Sequence, residues 1–169
     1  AKEAGANAIK LQTYTPDSLT LNIKSDDFKA SGLWKGKYLY DLYKDACLPY
    51  SWHKELFEYA KEINIDIFST PFDIEAVDFL EQFNPIAYKI ASFEITDYEL
   101  VHYTASKMKP IIISTGIATH EEILDVVNIC RNAGNEQIVL LKCTSEYPAL
   151  LDDANLLTIP NIKKEFNTT

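Results

Sequence analysis

Lys89 lies between Tyr88 and Ile90 in the run AYKIASFEITD, with Ser92, Glu94 and Thr96 following at two-residue spacing. Tyr, Ile and Ala in alternation read as a buried strand, where an ammonium is costly unless it has hydrogen-bond partners or an anion. Two other lysines share this setting: Lys10 in AIKLQT, with Gln12 two residues on, and Lys142 in IVLLKCTS, ahead of Thr144 and Ser145. Two more apolar runs end in hydroxyls, at Ser69 and Thr70 and at Ser114 and Thr115. Lys, Gln, Ser and Thr are all donors, and gathered in one place they bind a phosphate or a carboxylate. A single such lysine is equally well a snorkelling or ion-paired one. Three on separate runs, each beside Ser, Thr or Gln, weigh towards an anion site. Glu94 in such a cationic mouth can act as acid or base, or simply close a salt bridge to one of the lysines.

The elements that carry these residues alternate in type. Candidate strands are Ala8–Leu11, Ile65–Ser69, Ile86–Ala91, Ile111–Ser114 and Gln137–Lys142. Helical spacing predicts helices over Ile74–Phe83, Tyr98–Lys107 and Glu121–Ala133, with another near Trp52–Ile63. Asp73 is placed to cap the first of these, while Thr96 with Glu99 and Thr119 with Glu122 have capping-box spacing. Gly134 suits the left-handed position after the last. Strand–helix–strand units of this length imply a parallel sheet with right-handed crossovers, whether a (β/α) barrel wall or a doubly wound sheet. Both gather functional groups at the carboxyl ends of strands.

The segment from Thr13 to Tyr50 breaks the rhythm. It is rich in aromatic residues, and YLYDLYKDA places Leu39, Leu42 and Tyr43 on one helical face. It reads as a packed insertion after the first strand, and a long ordered loop there can also line a pocket.

Composition narrows the partners. The 169 residues suit one domain, and 16 basic against 25 acidic residues give a net charge of −9. That balance disfavours nucleic acid and anionic membranes but not a small anion held by a few local lysines. Cys47, Cys130 and Cys143 have no C-x-x-C spacing, which fits a reduced, cytoplasmic protein. No apolar stretch is long enough to span a membrane, and no signal peptide is visible. His53, His102 and His120 lack metal-site spacing and read as helix-surface or loop histidines, so no metal site is expected within the chain. There is no P-loop and no G-x-G-x-x-G. Ala1 opens AKEAGANAIK, which reads like the last turn of a helix running into a strand, as though cut from a longer sequence.

The strings AIKLQTYTPDSLTL, FSTPFD, AYKIASFEITD, PIIISTGIAT and IVLLKCTSEYPA, in this order along the whole chain, resemble the sialic acid synthase family. GLWKGKYLYDLYKDACLPYSWHKELFEYAKE and ASFEITD are similar to its pseudaminic acid synthase branch, the N-acetylneuraminate branch differing at both places, and an N-acetylneuraminate or legionaminate synthase is the alternative. The resemblance implies condensation of phosphoenolpyruvate with an amino-sugar aldehyde, here a 2,4-diacetamido-2,4,6-trideoxy hexose, to a nine-carbon 2-keto acid with release of phosphate. It implies a TIM barrel, of which this chain would be about strands 2–6 of 8, and a small antifreeze-like domain, absent here, that swaps across a homodimer. It further implies that Lys89 and Ser92 meet the phosphate and carboxylate of phosphoenolpyruvate, with Lys10 and Gln12 as the K-x-Q-T motif and Thr70 and Ser114 as hydroxyl donors. Glu94 would lie near the sugar aldehyde, and Ser145 and Tyr147 would follow the fifth visible strand. A divalent metal, Mn or Mg, would be held by two histidines beyond Thr169, and the family's first strand would precede Ala1. Two departures stand out: Ser145 is Asn in some relatives, and YPALLDDANL replaces a more usual Y-P-x-P. On the residues alone, a non-catalytic anion-binding half-barrel is also open.

Overall fold

Burial alternates residue by residue along the strands. In the computed structural model, which describes residues 1–146 and 148–169, Tyr88 and Ile90 of β3 (Tyr88–Ile90) are fully buried while Lys89 between them is half-buried. The same alternation sets Ile111 and Ile113 of β4 (Ile111–Ser114) against Ile112, and Ile138 and Leu140 of β5 (Ile138–Leu141) against Val139 and Leu141. One face of each strand is therefore sealed and the other is partly open, as expected when side chains point to opposite sides of a sheet.

With β1 (Ala8–Thr13) and β2 (Asp66–Pro71), these strands form one parallel five-stranded sheet in the order β1-β2-β3-β4-β5. Strictly sequential order is that of a barrel wall, since a doubly wound sheet reverses at a switch point. At the outer edge of β5, Thr169 donates to the Ile138 carbonyl and accepts from the Leu140 amide, a parallel pairing that extends the same order. The α/β fold is thus part of a (β/α) barrel.

Helices seal the convex face: α3 (His53–Glu62), α4 (Ile74–Glu81), α5 (Tyr98–Ser106), α6 (His120–Asn132) and α7 (Thr158–Phe166). Val77 and Leu80 of α4, Leu100 and Val101 of α5, and Val126 and Val127 of α6 are almost wholly buried with Tyr88, Ile90, Ile111 and Ile113 in one core. Each such aliphatic side chain contributes about 1.5–3 kcal/mol by leaving water. Tyr88 keeps its polar end satisfied by donating to Glu81 Oε1 at 2.6 Å, which Lys109 also reaches at 2.9 Å.

The helix starts follow local chemistry. Asp73 accepts from the Ala76 amide, and Thr119 and Glu122 form the expected capping box. Thr96 does not cap α5. A 3-10 turn over Glu94–Thr96 intervenes, and Asp97 accepts from the Leu100 amide instead. Gly134 has φ +87 after α6, and Asn64 and Asn84 take left-handed φ of 54 and 50 after α3 and α4. Helix α7 has no counterpart in the elements predicted above, because Pro160 interrupts the apolar spacing of Ile159, Ile162 and Phe166. Proline is tolerated there in the first turn, where its missing N–H has no partner to lose.

The insertion after β1 is not packed throughout as expected: Leu21, Ile23, Leu33 and Trp34 are each 42% exposed or more, and its packed anchor is Tyr14. It contains α1 (Pro16–Leu19) and α2 (Leu39–Ala46). Tyr14, 5% exposed, meets Tyr43 and Phe72 edge-on at 6.2 and 5.4 Å between ring centroids.

β1 is an edge strand, the concave face exposes parts of Phe68, Ile112 and Val139, and Leu150, Leu151, Leu156 and Leu157 are each 63% exposed or more. Open strand edges and apolar patches promote association. Light scattering on the isolated 169-residue polypeptide is expected to find dimers or larger species. A monodisperse monomer would contradict this reading of its surface.

Candidate anion-binding site

Register brings the candidate residues together. Gln12 pairs with Thr70, Ser69 with Tyr88, and Lys89 with Ile112. Thr70 therefore falls beside Lys89, so Gln12, Thr70, Lys89 and Ile112 form one row across the concave face. Lys10 lies two residues before Gln12 on the same side, and Ser114 two residues after Ile112.

Lys89 is the centre of this row. Its Nζ donates to Ser114 Oγ at 2.6 Å and lies 3.4 Å from the Ile90 carbonyl, too far for a strong bond. An ammonium has three N–H donors, so capacity remains for a ligand. Burial, and then the neighbouring Lys10 charge, hold the Lys89 pKa below the ordinary lysine value, against the pull of Cys143 and Glu94. Burial also lowers the pKa of Lys10. Lys10 remains exposed, so an anion that reaches both ammonium groups relieves chiefly the cost at half-buried Lys89.

Acceptors and donors surround that pair. Thr70 is 1% exposed, and its Oγ1 is buried without a hydrogen-bond partner. Buried polar atoms rarely go unpaired, and an orphan on the concave row fits a ligand contact. Glu94 Oε2 is also buried and unpartnered. Burial raises the Glu94 pKa, opposed by its own backbone N–H and by Lys89. Its carboxyl is thus biased towards holding a proton.

Just past the ends of β3 and β4, Ser92 Oγ accepts from the Gly116 amide at 3.3 Å. A Cβ on Gly116 would overlap Ser145 Oγ and lie 3.0 Å from Ser92 Oγ and 3.1 Å from Cys143 Cβ. Gly116 therefore lets three segments meet at one point, and sequence reasoning passed over it. Its signal was the glycine directly after the Ser-Thr of STGIAT.

Several candidates fall elsewhere. Ser69, expected in the cluster, points to the convex side and bonds Thr13 Oγ1 at 2.7 Å. It precedes Thr70 by one residue, which in a strand reverses the face. Lys142 does not join Lys10 and Lys89. Its Nζ is occupied by Thr144 Oγ1 at 2.7 Å and the Asp153 carbonyl at 3.0 Å, pinning the segment after β5. His53 is not a surface histidine but fully buried. His102 and His120 are exposed on their helices, with His120 Nε2 2.7 Å from Glu165 Oε1. Tyr147 lies outside the described residues.

A separate groove, about 740 Å³, is lined by Asp17, Asp73, Glu75, Asp97, Glu99 and Tyr50 among others. Burial first, and then Asp73 and Glu75, push the Tyr50 hydroxyl up to about 12. A groove walled by five carboxylates repels an anion, so size does not identify the anion site. Among the described residues, no three His, Cys, Asp or Glu side chains converge to hold a metal ion. The site's donors are lysine, hydroxyl and amide groups, which do not fit a divalent cation.

A model of the NeuB family matches residues 1–169. The chain is 52% identical over 168 residues to the pseudaminic acid synthase of Campylobacter jejuni, covering 99% of this chain and 49% of that protein. Its identity to the pseudaminic acid synthase of Helicobacter pylori is 49% over 166 residues, with coverage of 98% and 49%. Among solved structures, the N-acetylneuraminic acid synthetase of Leptospira borgpetersenii in complex with citrate superposes with a TM-score of 0.82 at 30% identity, over 96% of this chain and 52% of that one. The chain thus spans about half the length of the curated relatives it matches. It belongs to the NeuB family.

Proposed function

We propose that the concave row binds phosphoenolpyruvate and that this chain forms the greater part of the barrel of a pseudaminic acid synthase. The observation that carries the reading is Lys89, half-buried, held by Ser114 and flanked by Lys10 and the unpartnered Thr70 hydroxyl. Nearly half-identical relatives named as pseudaminic acid synthases support the choice of reaction.

In this proposal Lys89 and Lys10 neutralise the phosphate and carboxylate charges, and Gln12, Thr70, Ser92 and Ser114 fix their orientation through directed hydrogen bonds. The methylene carbon (C3) of phosphoenolpyruvate bonds to the aldehyde carbon of a 2,4-diacetamido-2,4,6-trideoxy hexose, water adds to C2, and the C2–O bond to phosphate breaks to leave the 2-keto group. The aldehyde oxygen takes up a proton, one water is consumed, and phosphate leaves. Glu94, with a raised pKa and a free carboxyl oxygen, is the group suited to deliver that proton. Ser145, beside Gly116 and Ser92, borders the same mouth in this reading. The divalent ion, Mn or Mg, and the small C-terminal domain of a swapped homodimer belong to the remainder of the full-length protein. The three free cysteines suit a cytoplasmic setting. Among the described residues, no helix is long and apolar enough to cross a membrane.

The assay is to incubate the full-length protein carrying this sequence with phosphoenolpyruvate and each candidate hexose, and to weigh the products. Pseudaminic acid is the expected product. N-acetylneuraminate or legionaminate would reassign the sugar, and phosphoenolpyruvate binding without turnover would make it an anion-binding protein only.

Lys89→Ala in that protein should weaken phosphoenolpyruvate binding by about 2–5 kcal/mol, the usual cost of removing one partner of a desolvated charge pair. Lys89→Met, which keeps the stem but not the charge, should do nearly as badly. Because only the ammonium attracts the anion and its pKa is lowered, affinity should fall with rising pH earlier than an ordinary lysine would allow. Calorimetry checks all three, and unchanged affinity in both variants refutes the role.

A further inference from the structure

We propose that His53 is a positioning residue for the anion site: from the convex side its imidazole orients the Thr13 hydroxyl at the end of β1, which bonds Ser69 of β2, so that Gln12 and Thr70 meet the ligand together from the concave side. The inference rests on the phosphoenolpyruvate reading above and adds a residue outside the cluster.

His53, Thr13 and Ser69 are all fully buried. His53 Nδ1 lies 3.2 Å from the Pro49 carbonyl, and Nε2 lies 2.8 Å from Thr13 Oγ1, which is 2.7 Å from Ser69 Oγ. A carbonyl only accepts, so Nδ1 carries the proton and Nε2 is left as an acceptor. Thr13 must then donate to Nε2 and accept from Ser69. One proton arrangement satisfies the whole chain, running from Ser69 through Thr13 and His53 to Pro49. Burial lowers the His53 pKa against the bonds to Pro49 and Tyr50, consistent with a neutral ring.

Position makes this chain more than a satisfied core histidine. Thr13 directly follows Gln12 and Ser69 directly precedes Thr70, and successive strand side chains point to opposite faces. The hydroxyls on one side and the ligand groups on the other thus share the same backbone. The ring is seated by Tyr50, Phe79 and Phe83, at centroid distances of 5.6, 5.1 and 6.4 Å, so it is held in one orientation. Pro49 ties the aromatic insertion into the same chain. Apolar residues would fill this space, but directed hydrogen bonds reinforce the backbone ladder where the two strands end.

The test uses the full-length protein carrying this sequence, with His53→Phe, His53→Gln, Thr13→Val and the His53→Phe/Thr13→Val double variant. Imidazole nitrogen shifts in the unsubstituted protein should report the neutral Nδ1-protonated tautomer. His53→Phe and Thr13→Val should each raise the Kd and KM for phosphoenolpyruvate about tenfold, the scale of one misplaced hydrogen bond. The kcat should change far less, because Glu94 is untouched. The double variant should be no worse than either single one, as for members of one network. His53→Gln, whose amide oxygen can accept from Thr13, should recover most of the affinity. Folding is verified by circular dichroism, and Thr13→Val decides if His53→Phe does not fold. Unchanged affinity in a folded variant, or the Nε2-protonated tautomer, overturns this role. Failure of the unsubstituted protein to bind phosphoenolpyruvate would instead overturn the anion-site reading, and the nitrogen shifts would still decide the hydrogen-bond chain.

Discussion

A lysine ammonium cannot sit half-buried in a sheet without partners, and the surroundings of Lys89 follow from that constraint. Ser114 accepts one of its hydrogen bonds, while burial and the Lys10 charge make its charged state harder to hold. The cost is stored in the free protein and relieved by a ligand of opposite charge. Binding is therefore strongest for a compact anion that reaches both lysines, and the unpartnered Thr70 hydroxyl adds a directed contact. The helices on the convex face serve this arrangement by fixing Tyr88 and Ile90, which hold Lys89 in register between them.

Net charge and local field point in opposite directions here. At −9 the molecule as a whole repels anions, and the groove lined by Asp17, Asp73, Glu75, Asp97 and Glu99 concentrates that repulsion near the strand ends. Within a Debye length of roughly 8 Å at physiological salt, however, nearby charges dominate over distant ones. Lys10 and Lys89 thus create a small positive well on an acidic surface. Such a layout favours selection by shape and contact over capture at long range.

Much of this was legible in the sequence because strand periodicity is exact. Lys89 between two apolar residues, the run of short strands and the Asp73 and Thr119 caps all followed from spacing alone. What escaped was parity and partnership. Ser69 and Thr70 look interchangeable in a string, yet one residue of offset sends Ser69 to Thr13 on the convex side and leaves Thr70 facing the lysines. Lys142 resembles Lys89, but the Asp153 carbonyl that captures it comes from a segment with no periodic signal. His53 read as a surface or loop histidine because it lacks metal-site spacing, while the hydroxyl that holds its Nε2, Thr13, lies 40 residues away. Gly116 carried no side chain to attract notice, and its importance is the space it leaves.

The central claim is that one anion site lies on the concave row at the carboxyl ends of the strands. Amide NMR of the full-length protein carrying this sequence, titrated with phosphoenolpyruvate, tests it most directly. The account predicts saturable shifts concentrated at Gln12, Thr70, Lys89, Ser92, Ser114 and Gly116. Shifts concentrated instead around Asp73, Asp97 and Glu99, or at the amino ends of the strands, would contradict it.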